Sequence, residues 1–216
     1  MILYGSSFSP FVRKVLAYAA ERGLPLDHQQ ITLTAAPPEF YAASPFKKMP
    51  AFNDGDFAIS DSTAIITYLD AKFPEGALLP ADPANRARAI WFEEFADTIM
   101  TTVVFKCFFQ RIVAPLFLKI PGNEAVAQEG ETVDLPPILD YFETIAPAAH
   151  GFLVGNSLTV ADISVASCFV NYDHAGIVVD AAKYPKTKAW VSAMLARPSF
   201  AGTIAKEKAA IGAARK

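Results

Sequence analysis

The chain has few of the residues that build metal and disulfide sites. Its 216 residues include only two cysteines and three histidines. Cys107 and Cys168 lie in apolar segments, where a buried free thiol is commoner than a disulfide. His28, His150 and His174 are scattered and lack the spacing of metal ligands. We therefore expect no metal site, and a soluble protein in a reducing, cytoplasmic compartment.

Charge is also scarce. Charged residues make up 19% of the chain against 52% hydrophobic residues, and the formal net charge is −3. No basic cluster is larger than Lys47-Lys48 apart from diffuse C-terminal charges, so nucleic acid is a poor candidate partner. Glycine-rich phosphate loops and a nucleophile elbow are missing. No apolar run looks long enough to span a bilayer, and we expect no membrane partner.

The first 79 residues alternate between strand and helix patterns. Pro10 suits the first turn of a helix and Gly23 its end. The turn signal Asn53-Asp54-Gly55-Asp56 favours a hairpin. Strands are predicted at 1–4, 28–33 (with Ile31 and Leu33 on one face), 51–52 and 57–59, and helices at 10–22, near 37–41 and at 62–72. The order βαβαββα predicts a mixed sheet with helices packed on it.

Residues 80–84 look like a linker, because two prolines fall there without any periodicity. Beyond them the pattern is helical, with helices predicted at 85–113, 135–145, 159–172 and 184–197 and a shorter one from Ser199. The fold class is thus an α/β domain followed by an all-α helical domain over 85–216. Thr159 and Asp162 form a capping box at the start of one helix, with aspartate in place of the usual glutamate.

Three short motifs stand out in the first domain: Ser9-Pro10-Phe11 at a strand-to-helix turn, Lys47-Lys48-Met49-Pro50 before an extended run, and Ile59-Ser60-Asp61-Ser62 opening a helix. Together they resemble the thioredoxin-like domain of cytosolic glutathione S-transferases of the serine type. The capping-box segment resembles the start of the central helix in that family's helical domain. The likeness runs through most of the chain. It implies a thioredoxin-like domain at 1–79, a helical domain with an apolar-substrate site, glutathione as co-substrate, and a homodimer.

Ser9 is the candidate catalytic residue. A hydroxyl at a helix N-terminus can donate a hydrogen bond to sulfur, and with the helix dipole it favours a thiolate over a thiol whose ordinary pKa is about 8.5. The resemblance implies that Ser9 holds glutathione as its nucleophilic thiolate. Ser9 as a plain helix cap is the alternative, and Ser6 and Ser7 are rivals within the same loop. Arg13 could add positive potential, although packing of its stem and pairing with a carboxylate is the commoner role.

The glutathione-binding residues implied by the resemblance are Phe11, Lys48, Met49, Pro50, Asp61 and Ser62. The backbone of Met49 would pair with the cysteinyl unit as an added strand does, in a geometry set by Pro50. A cis Met49–Pro50 peptide would be an unusual geometry that generally exists for a reason, and an ordinary trans loop proline is the alternative. Lys48 would meet the glycine carboxylate, Ser62 the γ-glutamyl carboxylate at a helix N-terminus, and Asp61 the ammonium group. Asp61 departs from the family's commoner glutamate or glutamine, and a simple N-cap cluster is the alternative.

Aromatic residues concentrate in the first helix of the second domain: Trp91, Phe92, Phe95, Phe105, Phe108 and Phe109, with Met100 among them. An apolar cleft there would suit an apolar electrophile, with Asp97 and Thr101 facing it, although most of these rings must be core or dimer interface. We expect a glutathione transferase. A glutathione-dependent isomerase or dehalogenase, and a non-catalytic binding module, are the alternatives.

Overall fold

The computed structural model describes residues 1–32 and 35–215. The chain divides into two compact units, Met1–Pro80 and Ala81–Lys216. The first unit contains a four-stranded sheet with helices, and the second is helical with no strand among its described residues. The predicted fold class, a thioredoxin-like α/β domain followed by an all-helical domain, is confirmed.

The sheet of the first unit has the strand order β2-β1-β3-β4. Its strands are β1 (Ile2–Tyr4), β2 (Asp27–Gln29), β3 (Ala51–Asp54) and β4 (Phe57–Ser60), and its helices are α1 (Pro10–Glu21), α2 (Pro38–Ala43) and α3 (Ser62–Lys72). β1 and β2 are parallel, and the other two pairs are antiparallel. The mixed sheet and the order βαβαββα agree with the sequence prediction.

Two strand boundaries differ from the prediction. β2 ends at Gln29 rather than continuing to residue 33, because its partner β1 ends at Tyr4 and offers no further backbone to pair with. Ile31 is buried without being in a strand, and Leu33 lies outside the described residues. The hairpin turn is shorter than predicted, since β3 extends through Asp54 and only Gly55-Asp56 forms the turn.

The described residues of the second unit form five helices: α4 (Pro83–Phe117), α5 (residues 124–145, comprising Glu124–Glu129, Gly130–Asp134 and Leu135–Ile145), α6 (Val160–His174), α7 (Pro185–Leu195) and α8 (Pro198–Ala214). α4 is longer than predicted, and the first half of α5 was not predicted. π-type hydrogen bonding occurs at Phe95–Met100 and Val104–Phe117 in α4 and at Gly130–Asp134 in α5. Pro115 lies in one of these stretches and has no N–H to donate, which disturbs ordinary α-helical pairing there.

α6 is the central helix of the second unit, with every residue except Asp173 buried. The predicted capping box at its start is present. Asp162 Oδ2 accepts hydrogen bonds from the Thr159 N–H at 2.9 Å and the Thr159 hydroxyl at 3.1 Å, and its Oδ1 accepts from the Leu153 N–H at 2.8 Å. Burial raises the pKa of Asp162 to about 6 against the opposing effect of these hydrogen bonds.

α4 qualifies one sequence expectation. By length and composition alone it could cross a membrane, with an 18-residue window of mean hydropathy 1.4, of which 44% is buried. The core helix of a soluble protein has the same character. Here Met100, Val103 and Cys107 are fully buried in the protein, and the Tyr172 hydroxyl of α6 donates to the Met100 carbonyl at 2.8 Å. Part of the apolar surface of α4 is thus used in packing within the protein.

Candidate functional site

The register of the sheet gathers the predicted site segments at one edge. Tyr4 lies opposite Ala51, and Ala51 lies opposite Ser60. The residues just beyond this row are Gly5 after β1, Pro50 before β3 and Asp61 after β4. The Asp61 N–H donates to the Pro50 carbonyl at 3.4 Å, which joins two of these segments directly. The three motifs that were distant in sequence therefore lie at the same end of one sheet.

Ser9 is the N-cap of α1, with extended backbone angles. Its Oγ accepts a long hydrogen bond of 3.5 Å from the Val12 N–H, and its carbonyl accepts from the Arg13 N–H at 3.0 Å. The Ser9 hydroxyl donates its proton to no residue among 1–32 and 35–215. The hydroxyl is therefore a half-buried cap that can still donate, next to the positive end of a helix dipole.

Ser6 and Ser7, the rivals of Ser9, are tied to other residues. Ser6 donates its N–H to Met49 Sδ at 3.3 Å and accepts at its Oγ from Gln30 Nε2 at 2.9 Å. Ser7 donates its N–H to Gln30 Oε1 at 3.2 Å. Gln30 was not among the predicted site residues. The one signal that could have identified it is its position, directly after a strand that pairs with β1.

Two other predicted residues lie on the first turn of α1. Phe11 is half-buried at the second helical position. Arg13 is fully buried. The turn before them passes close to neighbouring side chains at Gly5. A Cβ at this position would lie 2.5 Å from a Val12 methyl carbon, which is a clash, and 3.5 Å from the Met49 Cβ. Only glycine fits between β1, α1 and Met49 at this point.

The Met49–Pro50 peptide is cis. In the described part of the chain no residue hydrogen-bonds the N–H or the carbonyl of Met49. The neighbouring Lys48 differs, because its N–H donates to Ser44 Oγ at 2.9 Å and its carbonyl accepts from the same hydroxyl at 2.7 Å. Ser44 thus fixes the loop one residue earlier, and the Met49 backbone has both groups available for an extended ligand.

The two lysines of the same loop are in different surroundings. Lys47 has a positive φ of 56° and its ammonium lies 5.9 Å from the centre of the Tyr41 ring. The Lys48 side chain is exposed and has no partner among the described residues. Of the two, Lys48 is the one with a free ammonium group, as a contact to a ligand carboxylate requires.

Asp61 and Ser62 form the start of α3. Asp61 has a positive φ of 85°, and its Oδ1 accepts from the Thr63 N–H at 2.9 Å and the Ala64 N–H at 3.0 Å. Asp61 Oδ2 has no partner in the described parts of the chain. Ser62 is the first helical residue and is 2% exposed, and no described residue binds its hydroxyl. An anion at this point would meet the Ser62 N–H, for which no described residue is an acceptor, and the positive end of the helix dipole.

Comparison with known proteins identifies the family. The family model of the glutathione S-transferase N-terminal domain matches residues 3–77, and the family model of the C-terminal domain matches residues 109–207. The chain belongs to the glutathione S-transferase family. This confirms the family resemblance and, at the level of the family, an enzyme that uses glutathione as co-substrate.

Individual relatives agree over nearly the whole chain. Glutathione S-transferase 3 of Zea mays is 32% identical over 94% of this chain and 92% of its own length. A glutathione S-transferase structure from Rhodospirillum rubrum has a TM-score of 0.82 at 25% identity, covering 94% of this chain and 90% of that one. A glutathione transferase homologue from Drosophila mojavensis with bound glutathione has a TM-score of 0.78 at 28% identity, covering 98% and 96%.

One relative carries a different name. Elongation factor 1-gamma of Schizosaccharomyces pombe is 29% identical over 79% of this chain but over only 40% of its own length. The fold of this family is therefore also found as one part of a longer protein that is not named a transferase.

The second unit carries an apolar groove of about 460 Å³ between α4 and α5. Trp91 and Phe95 stack with ring centres 5.7 Å apart, and Tyr141 meets them edge-on at 5.9 and 5.6 Å. Thr102 and Asp134 are its polar lining residues. Thr101, which was expected to face a cleft, is buried and donates its hydroxyl to the Asp97 carbonyl at 2.6 Å.

The aromatic residues of α4 divide into two groups. Phe92, Phe95 and Phe108 are buried, together with Met100, while Trp91 and Phe105 are 49% and 57% exposed. Phe109 is half-buried. Most of the buried rings serve the core, and the exposed ones leave α4 with an apolar surface.

Proposed function

We propose that the protein is an active glutathione transferase in which Ser9 stabilises the glutathione thiolate. The observation that carries this is the Ser9 hydroxyl, a helix N-cap with its proton uncommitted at the same sheet edge as the unpaired Met49 backbone. The thiolate sulfur attacks an electrophilic carbon and forms a C–S bond. The leaving group departs with its electron pair, and the thiol proton passes to water. Ser9 lowers the barrier by donating a hydrogen bond to the charged sulfur.

The remaining predicted residues supply a site for each end of the tripeptide. The free N–H and carbonyl of Met49 pair with the cysteinyl unit, and the Lys48 ammonium meets the glycine carboxylate. The Ser62 hydroxyl and N–H at the start of α3 bind the γ-glutamyl carboxylate, and Asp61 Oδ2 accepts from the ammonium group. Phe11 borders the sulfur from the first turn of α1. Support for the roles of Met49, Lys48, Asp61 and Ser62 comes from hydrogen-bonding groups there that have no partner among the described residues.

The electrophile is proposed to be apolar and to bind beside the aromatic surface of α4. The exposed ring of Phe105 and the half-buried ring of Phe109 support an apolar rather than a charged second substrate. A cytoplasmic location belongs to the same proposal, and it is supported by two buried cysteines that are both free.

The test of Ser9 compares two serine-to-alanine variants, Ser9→Ala and Ser7→Ala, with the wild type. Purified protein is titrated with reduced glutathione by calorimetry and then assayed with an aryl halide. Ser9→Ala is expected to lower kcat by about 100-fold or more while leaving the glutathione Kd nearly unchanged, because one hydrogen bond to the developing charge is lost. The pH–rate profile should move to higher pH.

Ser7→Ala is the matched control, since it removes a neighbouring hydroxyl from the same loop. If Ser9→Ala keeps wild-type turnover, Ser9 does not have the role. If the wild-type protein fails to bind glutathione at millimolar concentration, the chain is a non-catalytic module. Activity on a cis-olefinic diacid, with none on the aryl halide, would favour the isomerase.

We also propose that the protein is a homodimer. Phe46 is 87% exposed, in the loop that carries Lys48 and Met49. The groove between α4 and α5 presents an apolar surface of the right chemistry to receive such a ring. Burying both surfaces against a second copy would remove from water the most exposed large apolar side chain among the described residues.

A further inference from the structure

Three hydrogen bonds in the loop between β1 and α1 converge on Ser6. Its N–H donates to Met49 Sδ at 3.3 Å, its Oγ accepts from Gln30 Nε2 at 2.9 Å, and its carbonyl accepts from the Ser9 N–H at 2.9 Å. Ser6 thus contacts the loop that presents the Met49 backbone, the residue after β2, and the N-cap of α1. Its backbone and side chain together join all three.

Gln30 holds the loop from the other side. Its amide nitrogen donates to Ser6 Oγ, and its amide oxygen accepts from the Ser7 N–H at 3.2 Å. A primary amide carries a donor and an acceptor in one plane, so this side chain can satisfy both partners at once. Gln30 is itself fixed by its position, because the carbonyl of the preceding Gln29 accepts from the Gly5 N–H at 3.2 Å.

We propose that Ser6 and Gln30 form a positioning pair that sets the Ser9 hydroxyl relative to the Met49 backbone. The proposal rests on the proposed function, in which Met49 holds the cysteinyl unit and Ser9 meets its sulfur. Neither Ser6 nor Gln30 contacts the reacting sulfur in this scheme. Gln30 holds the Ser6 hydroxyl. The Ser6 carbonyl then holds the Ser9 N–H, and the Ser6 N–H holds the Met49 side chain at its sulfur, which limits how far the Met49 backbone can move.

The size of the effect follows from geometry and exposure. A catalytic donor displaced by a fraction of an ångström loses much of its effect on a developing charge. The bonds of Gln30 are at the surface, so water replaces them in part when they are removed. We therefore expect a loss of about 3- to 10-fold in kcat for either single variant, which is the range of one modest hydrogen bond.

The experiment is a double-mutant cycle with Ser6→Ala, Gln30→Ala and the double variant in the full-length protein. Measured quantities are kcat, the KM for glutathione, and the pH dependence of kcat/KM with an aryl halide. Both single variants should lower kcat by a similar factor, change KM less, and move the pH profile upward. The kcat of the double variant should be no lower than that of the less active single variant, because the two side chains act through one contact.

Gln29→Ala is the matched control, since it truncates the adjacent glutamine, whose side chain has no partner among the described residues. It should keep wild-type kinetics. Thermal unfolding of each variant, followed by circular dichroism, separates a positioning effect from loss of fold.

Several results would overturn the proposal. Strictly additive losses in the cycle would mean that the two side chains act separately. A loss in Ser6→Ala as large as that in Ser9→Ala, with Gln30→Ala normal, would make the Ser6 hydroxyl itself the group that meets the sulfur. Unchanged kinetics and pH profile in both single variants would remove any role.

Failure of the proposed function gives a different pattern. If the wild-type protein binds glutathione but conjugates no electrophile, the ultraviolet difference spectrum of the bound thiolate replaces turnover as the readout. The positioning pair then predicts less thiolate at neutral pH in Ser6→Ala and Gln30→Ala than in the wild type and Gln29→Ala. Equal thiolate in all four proteins would reject it.

Discussion

Asp61 combines a structural contact with a proposed ligand contact in one side chain. Its Oδ1 accepts two backbone hydrogen bonds at the start of α3, whereas its Oδ2 has no described partner. The two hypotheses made from the sequence, an N-cap and an ammonium contact, are therefore compatible in the structure. Its positive φ of 85° also turns the chain sharply between β4 and α3, which places Ser62 at the helix start.

Two variants separate these roles of Asp61. Asp61→Asn keeps an oxygen for the cap but removes the charge, so we expect the glutathione Kd to rise about 3- to 10-fold with little change in thermal stability. Asp61→Ala removes the cap as well and should also lower the free energy of unfolding by about 1 kcal/mol. Calorimetric titration and denaturant unfolding measure the two effects. Equal Kd values for the wild type and Asp61→Asn would restrict Asp61 to capping.

At the level of single elements, α6 depends on one buried carboxylate. Asp162 satisfies the Thr159 N–H and hydroxyl and the Leu153 N–H, and it is almost fully removed from water. Truncation to alanine leaves those buried donors without an acceptor. The capping box was recognisable from Thr159 and Asp162 alone, but the contact to Leu153 was not, because it joins a preceding loop to the helix.

The titration of Asp162 gives a pH prediction with a definite sign. Its pKa is raised to about 6 in the folded protein from 3.8, so the folded state holds the proton more tightly than the unfolded state between those values. The free energy of unfolding contributed by this group therefore falls as pH rises from about 4 to about 6, by up to about 3 kcal/mol. In Asp162→Asn this fall should disappear. Urea unfolding of both proteins from pH 4 to 8 measures the difference, and parallel curves would contradict the prediction.

The other elements show what the sequence pattern could and could not predict. Apolar spacing and proline and glycine signals predicted α1, α3 and the central helix close to their observed bounds, because these elements bury a regular face. The π-type stretches of α4 were not predictable, because they depend on local hydrogen bonding in the folded helix, as around Pro115, which has no N–H to donate. β2 ends where its partner strand β1 ends, and the local sequence pattern of β2 does not show where a strand distant in the sequence ends.

At the scale of the whole molecule, the proposed homodimer has a direct test. Phe46→Ser should weaken self-association by removing an 87% exposed ring, and we expect the dimer dissociation constant to rise by about 10-fold or more. Val178→Ser is the matched control, because Val178 is 79% exposed on the other unit and lies outside the groove. Analytical ultracentrifugation measures both. A Phe46→Ser protein that remains as tightly associated as the wild type, or a monomeric wild-type protein, would contradict the proposal.

The register of the sheet indicates where a label could be attached to this protein. All site segments leave the sheet at the edge marked by Tyr4, Ala51 and Ser60, whereas the Gly55-Asp56 turn closes the opposite edge. A fluorophore or a short peptide tag inserted at that turn would be anchored to β3 and β4, yet separated from the proposed glutathione site by the length of both strands. The two strands that lead to Pro50 and Asp61, which we propose to contact glutathione, thus also offer a position for labelling at their far end.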